Sequence, residues 1–376
     1  MKRDERLNKL AKSILTNSVK LQAGEKIYIE TSGSLTVDLL AAFVEESVKI
    51  GAIPFYYFND TYLQNSLIKN ADESQISEFA RIHASIMEQM DAYIGVRCHD
   101  NPFDASIPGV KKMSAFNRLY TKPVHFDLRI PKTKWCLLRY PTPVMAYQSQ
   151  MPTPDFEDFY FAACLVDYAK MYDAMLPLKE LMDRTDKVHI IAPDTDLTFS
   201  IKGIGATPCY GLRNIPDGEI YSAPVAHSVN GTIRFNTHSP HSGYVFNNIS
   251  LTFENGKIIK ANTDGSICAL NDILDTDEGS RFLGEFALGV NPFINKAIGD
   301  TLFDEKIAGS IHLAVGNFCG NAYNGNRSAI HWDLVQIHTP EYGGGEIWFD
   351  DVLVRKDGLF VLDELKPLNP NNLKNI

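Results

Sequence analysis

The sequence predicts two domains of different α/β texture: a Rossmann-like N-terminal domain with a parallel sheet over residues 1–185, and a strand-rich α+β C-terminal domain over 186–376. Three observations predict this. Helical and strand periodicities alternate through the first half. Short strands and tight turns dominate from about Lys187 onward. The length of 376 residues suits about two domains.

In the first half, Leu7, Leu10, Ala11, Ile14 and Leu15 recur at helical spacing, so residues 4–20 read as an amphipathic helix. After the Gly24 turn, Lys26-Ile-Tyr-Ile-Glu-Thr31 alternates as a strand. Ser34–Lys49 then reads as a helix closed by Gly51, and Pro54–Phe58 as a second strand. Strand, helix and strand at this spacing form a βαβ unit and imply parallel pairing. The pattern continues with a helix around Ser74–Met90, strands at Ala92–Arg97 and Lys134–Arg139, the turn Tyr140-Pro-Thr-Pro143, and helical stretches at Asp155–Ala174 and Leu176–Arg184. The first strand-to-helix turn, Thr31-Ser-Gly-Ser34, lacks the glycine spacing of a dinucleotide fingerprint. A role in shaping substrate access or in dimerisation is expected for this domain instead.

In the second half, short strands are expected at Val188–Ala192, Asp196–Ile201, Thr232–Phe235 and Leu251–Phe253. The last is joined to Ile258–Lys260 by the hairpin turn Glu254-Asn-Gly-Lys257. Strands follow at Glu346–Phe349 and Val352–Arg355, with helices near Leu270 and over Asn291–Ile298.

Composition narrows the function classes. Hydrophobic residues make up 44% and aromatics 11%, enough for sizeable cores. A formal net charge of −10 argues against a non-specific nucleic-acid or anionic-membrane surface. The six cysteines are scattered with no CxxC pair, which argues against a disulfide framework and a thiolate zinc site. The charged, amphipathic N-terminus has no apolar leader core, and no apolar run is long enough to span a bilayer, so a cytoplasmic protein is expected.

Chemistry concentrates in the second half. Two apolar runs between Gly309 and Val335 carry His312 and His331, joined by a Gly/Asn-rich loop. In a strand, His331 and Asp333 share a face and Trp332 points away. Upstream, Glu219 sits at the mouth of a turn entering a short strand, and Glu285 is enclosed by small and apolar neighbours. A carboxylate in such a run is costly to bury unless paired or coordinated. Three carboxylates and two imidazoles, without sulfur, suit zinc, cobalt or manganese. Five ligands exceed one closed tetrahedral site and match two divalent ions sharing a bridging carboxylate and a water. For each residue alone, a satisfied core polar group is the competing reading.

The segments Pro216-Asp-Gly-Glu-Ile-Tyr-Ser-Ala-Pro224, Leu283-Gly-Glu-Phe-Ala-Leu288, Leu302-Phe-Asp-Glu-Lys306 with His312-Leu-Ala-Val-Gly316, and Ser328-Ala-Ile-His-Trp-Asp333 carry a resemblance. With these segments, most of the chain resembles the metallo-aminopeptidase family typified by aminopeptidase T and aminopeptidase S. The resemblance implies metal ligands at Glu219, Glu285, His312, His331 and Asp333. It implies an acidic residue before the first histidine, matched by Glu305 across a small gap, as general base or as a partner of the ligands. It also implies a tyrosine seven residues after the first histidine, but that position is Cys319, and Tyr323 lies four further on. Either Tyr323 takes this catalytic role through a different loop path, or Cys319 stands by the metals, or the role is lost. A buried structural thiol is the simplest reading of Cys319.

The expected function is therefore release of N-terminal amino acids from peptides by attack of a metal-bound water at a dinuclear site, in a homodimer. The alternative is a mononuclear iron(II) ring-cleaving dioxygenase on the same scaffold, using His312, His331 and Asp333. Ring-cleaving dihydroxypyridine dioxygenases resemble this family in fold.

Overall fold

The computed structural model describes residues 3–374 apart from 99, 100, 102, 103, 105, 106 and 242. The chain divides into two compact units: Met1–Leu165 with Gly211–Ile215, and Val166–Tyr210 with Pro216–Ile376. Helix Tyr168–Arg184, which precedes the textural change at 185, therefore belongs to the second unit.

The first unit holds a five-stranded parallel sheet in the spatial order Ile53–Asn59, Lys26–Ser32, Ala92–Arg97, Lys134–Arg139, Asn214–Ile215. Ile27, Ile29, Ile94, Cys136 and Leu138 are all buried, as alternation requires of one covered face. Helix Val37–Ile50 closes with Gly51 in the left-handed region at φ 86°, where glycine avoids a Cβ clash. Helix Glu73–Met87 starts with a capping box made by Asp72 and Gln75. Parallel strands, connecting helices and no glycine fingerprint agree with the sequence expectation for this half.

The second unit is built on two antiparallel sheets. The larger has eight strands, with Lys187–Ala192 and Thr195–Ser200 near its middle. The Asn255-Gly256 hairpin turn has φ 50° and 86°, the pairing of positive angles that an Asn-Gly turn favours. The smaller sheet has the order His331–Ile337, Ser310–Gly316, Leu283–Gly289, Glu219–Ser222, Thr207–Cys209. Phe286 of the smaller sheet meets Phe199 of the larger edge-on at 5.0 Å between ring centroids. One face of the smaller sheet is thereby committed to core, and its other face is left for polar groups.

Two expectations are corrected. The helix break expected after Ala174 lies instead at Leu165–Asp167, between helices Thr153–Cys164 and Tyr168–Arg184. Asp167 caps the second of these by accepting from Lys170 N, and Pro177 is accommodated inside it. Asn291–Ile298 is not a helix. Asn291 Oδ1 accepts from Phe293 N, while Asp304 accepts from the N–H groups of Ile298 and Gly299 at 2.7 and 2.9 Å. These side chains satisfy the backbone donors that a helix would otherwise use.

No helix among the described residues is long and apolar enough to cross a membrane.

A register shift lies between Leu283 and Glu285 on the central strand of the smaller sheet. A Cβ at Gly284 would stand 2.1 Å from Asn317 O and 2.6 Å from Gly316 O, both backbone atoms. Gly284→Ala is expected to destabilise the fold by at least about 3 kcal/mol, because no side chain can yield to the new methyl. A urea midpoint within a few tenths molar of wild type contradicts this.

Candidate metal centre

Cross-strand register decides which side chains meet. Glu285 pairs opposite Ala314, and Ala314 opposite Asp333; Ala287 pairs opposite both His312 and Tyr221; Gly289 pairs opposite Glu219; Gly316 pairs opposite His331. Directly opposed residues share a face, as do residues two apart on one strand. Glu219, Tyr221, Glu285, His312, His331 and Asp333 therefore project from the same side, with Ala287, Gly289 and Ala314 leaving space between them. Trp332 faces the other way, buried against Phe246 and His241.

The five side chains converge. His312 Nε2 lies 3.5 Å from Glu219 Oε2 and 3.4 Å from Glu285 Oε1. His331 Nε2 lies 3.3 Å from both Glu285 Oε2 and Asp333 Oδ1. Two donor groups result, Glu219–Glu285–His312 and Glu285–His331–Asp333, and Glu285 belongs to both, one oxygen toward each imidazole. His331 Nδ1 is 2.8 Å from Asn317 O, a bond that places a proton on Nδ1 and leaves Nε2 facing the site.

Two observations test the fit to divalent cations. Glu219 Oε2 and Asp333 Oδ1 are buried without a hydrogen-bond partner among the described residues. The Nε2-to-oxygen separations are also longer than charge-assisted hydrogen bonds. Buried carboxylate oxygens facing imidazole nitrogens at this spacing have the form of a ligand cage.

The electrostatics agree. Burial pushes the Glu285 carboxyl up, but the adjacent His312 and His331 imidazoles outweigh it and hold the group well below the carboxylate range. Burial works to lower both imidazoles. Glu285 and Glu219 nevertheless raise His312 to about 9, and Asp333 and Glu285 raise His331 to about 12. Without a divalent ion, the cluster is held together by protonated imidazoles.

A raised imidazole stabilises the fold fully below its unfolded value of about 6.5 and loses that contribution as pH rises through its folded value. The metal-free Tm is therefore expected to fall as pH climbs from 6.5 through about 9, the value for His312. Saturating zinc or manganese should flatten the slope, because coordination needs the neutral ring. Scanning calorimetry with chelator and with metal checks this, and a metal-free Tm that rises over the window contradicts it.

Glu305 caps the C-terminal end of the short helix Thr301–Asp304 and forms a donor group with His312 and Asp333. Burial raises its carboxyl to about 7, with Lys306 pulling it down and Glu219 and Asp333 pushing it up. Tyr323 is not brought to the cluster. It is 50% exposed, with its ring against Phe318 at 5.0 Å and under the Arg327 guanidinium. Its neighbours explain this: Ala322 is buried, and Asn324 Nδ2 donates to Pro224 O and Leu283 O, so Tyr323 turns outward. Cys319 turns inward, packed near Tyr221 and Ala287. Its thiol is pushed up by burial and then by Glu285, Glu219 and Asp333.

Sequence reasoning missed three residues. Tyr221 follows Glu219 at the i+2 spacing that alternation places on the same face. Asp217 and Lys306 were present in the motifs without a role. Lys306 Nζ is 2.6 Å from Glu219 Oε1, 2.7 Å from Glu305 Oε1 and 3.8 Å from Asp217 Oδ1. A lysine inside the run Lys306-Ile-Ala-Gly-Ser-Ile-His312 was the available signal.

Residues 3–342 match the model of the family described as thermophilic metalloprotease (M29). The chain belongs to this family. Its members are metallo-aminopeptidases, enzymes that hydrolyse peptide bonds, and the ligand cage on the smaller sheet is in keeping with a metalloprotease. Aminopeptidase 2 of Geobacillus stearothermophilus is 23% identical over 349 residues, 83% of this chain and 84% of that one. Aminopeptidase T of Thermus aquaticus is 26% identical over 352 residues, with the same shares. Among solved structures, wild-type AmpT from Thermus thermophilus superposes with a TM-score of 0.74 at 22% identity, covering 95% of this chain and 99% of that one. The fold extends beyond the family: 2,5-dihydroxypyridine dioxygenase from Pseudomonas putida KT2440 superposes with a TM-score of 0.61 at 13% identity, covering 96% and 98%.

Proposed function

We propose that this chain is a dinuclear metal-dependent aminopeptidase that releases N-terminal amino acids from peptides. The observation that carries the reading is Glu285, whose two oxygens face two different imidazoles and so serve two donor groups. Glu219, Glu285 and His312 would hold one divalent ion, and Glu285, His331 and Asp333 the other, with zinc, cobalt or manganese suited to these oxygen and nitrogen donors. Such a pair supplies Lewis acidity, lowering the pKa of a water and polarising the scissile carbonyl.

The protein's own groups do the rest. Glu305, raised to about 7, can both accept a proton from the attacking water and return one to the departing amine near neutral pH. Asn317 O holds the His331 ring in one tautomer. The acidic surroundings suit a positively charged substrate N-terminus. A phenol on the site's face is that of Tyr221, while Tyr323 is half exposed outside the cluster. A homodimer belongs to the same reading and is supported by the edge strand Ile53–Asn59, where Ile53, Phe55, Tyr56 and Phe58 are exposed.

The dioxygenase alternative is not favoured. A single iron on His312, His331 and Asp333 would leave both Glu219 and Glu285 without a cation. Metal content after purification without chelator, with paired assays of Leu-p-nitroanilide hydrolysis and oxygen uptake on dihydroxypyridine, tests the reading. About two zinc, cobalt or manganese ions with hydrolysis support it. One iron with oxygen uptake and no hydrolysis overturns it.

A further inference from the structure

A further set of donors adjoins the groups described above. Cys209, Asp217 and Glu219 also bring ligand atoms within 4.8 Å of one another. This group shares Glu219 with the metal centre: Oε2 faces His312, while Oε1 faces Lys306. The Lys306 ammonium stands there, 1% exposed, against Glu219, Glu305 and Asp217.

We propose that Lys306 fills a third cation position of the acidic chamber, closing it to divalent ions and leaving Glu219 only Oε2 to offer to the metal centre. The inference rests on the dinuclear reading above and concerns what borders it.

Backbone clamps hold the position. Asn291 Nδ2 donates to Asp217 O at 2.8 Å, and Asn291 N donates to Lys306 O at 3.0 Å, so one residue ties both sides of the group together. Gly218 lies between Asp217 and Glu219 at φ 131°, with Asn291 packed where a Cβ would stand. Tyr168 OH accepts from Asp217 N. A lysine so enclosed is tolerable only because carboxylates surround it.

Charge supports the count. Asp217, Glu219, Glu285, Glu305 and Asp333 carry five negative charges when ionised. Two divalent ions and one ammonium cancel them. The fixed ammonium also keeps the Glu219 and Glu305 carboxylates apart from one another's charge and aims each by one oxygen.

The test is cobalt binding by the full-length protein, read by metal analysis after equilibrium dialysis and by absorbance. Lys306→Ala removes the ammonium and opens its volume. It is expected to bind one more cobalt per chain than wild type and to gain a thiolate-to-cobalt charge-transfer band. The double variant with Cys209→Ser should lose the band, because a coordinating thiol gives up its proton to solvent on binding. Wild type should show no band that depends on Cys209. A folded Lys306→Ala protein with wild-type stoichiometry and no new band overturns the proposal. So does a Cys209-dependent band in wild type, a comparison that decides the matter even where Lys306→Ala does not fold. If neither protein binds cobalt, the dinuclear reading fails and takes the inference with it. A constant one-ion difference from a wild type that binds one ion overturns only the dinuclear count and upholds the role of Lys306.

Discussion

Glu285→Ala is expected to lower kcat/KM on Leu-p-nitroanilide at least about a thousandfold and to reduce bound metal from two ions to fewer than one per chain. The size of the effect follows from position. Glu285 is the one carboxylate shared by both donor groups, 3.4 Å from His312 Nε2 and 3.3 Å from His331 Nε2. Its removal costs each group one of three donors. Its strand is braced on both sides by antiparallel neighbours, so the fold should persist. Circular dichroism beside metal analysis separates loss of the site from loss of the protein. A folded Glu285→Ala protein that keeps two ions and most of its activity contradicts the bridging assignment.

Glu305→Gln is expected to reduce kcat by about a hundredfold to ten-thousandfold while leaving metal content near wild type. Glutamine keeps the volume and one oxygen near Lys306 but cannot exchange a proton near neutral pH. KM should change little, because Glu305 is assigned to proton transfer rather than to binding. The contrast with Glu285→Ala is diagnostic: one variant should lose metal and activity together, the other activity alone. Equal loss of metal in both would make Glu305 a ligand, an outcome its donor group with His312 and Asp333 makes concrete.

Much of the site was legible because strand alternation is local. Once Ser310–Gly316 and His331–Ile337 read as strands, His331 and Asp333 had to share a face, and His312 needed only the right register to join them. Glu285 was conspicuous as a charge in an otherwise small and apolar run. Lys306 escaped the same logic, because a lysine beside a glutamate reads as an exposed pair until the chain around it is folded. The helix expected over Asn291–Ile298 failed for a related reason. The partners that undo it are Asp304, several residues downstream, and Asp217, at a separation of 74 residues. Periodicity carries no information about such partners.

The loop between the histidines shows the same limit. Tyr323 by another loop path, Cys319 beside the metals, or loss of the role were all left open by the sequence. Asn324 and Asn326 reach backbone carbonyls of Pro224, Leu283, Gly279 and Gly316, which pins the loop with Cys319 inward and Tyr323 outward.

By itself the sequence determined the parallel sheet of the first unit, the strand-rich second unit and the five side chains that gather on one sheet face. Those follow from periods of 3.6 and 2.0 residues and from short motifs. The tertiary structure alone decided that Lys306 enters the acidic chamber, that Glu219 divides its two oxygens between an ammonium and an imidazole, and that Tyr323 stays outside. Each of those depends on contacts between distant segments, and only the folded chain sets the distances over which charges act.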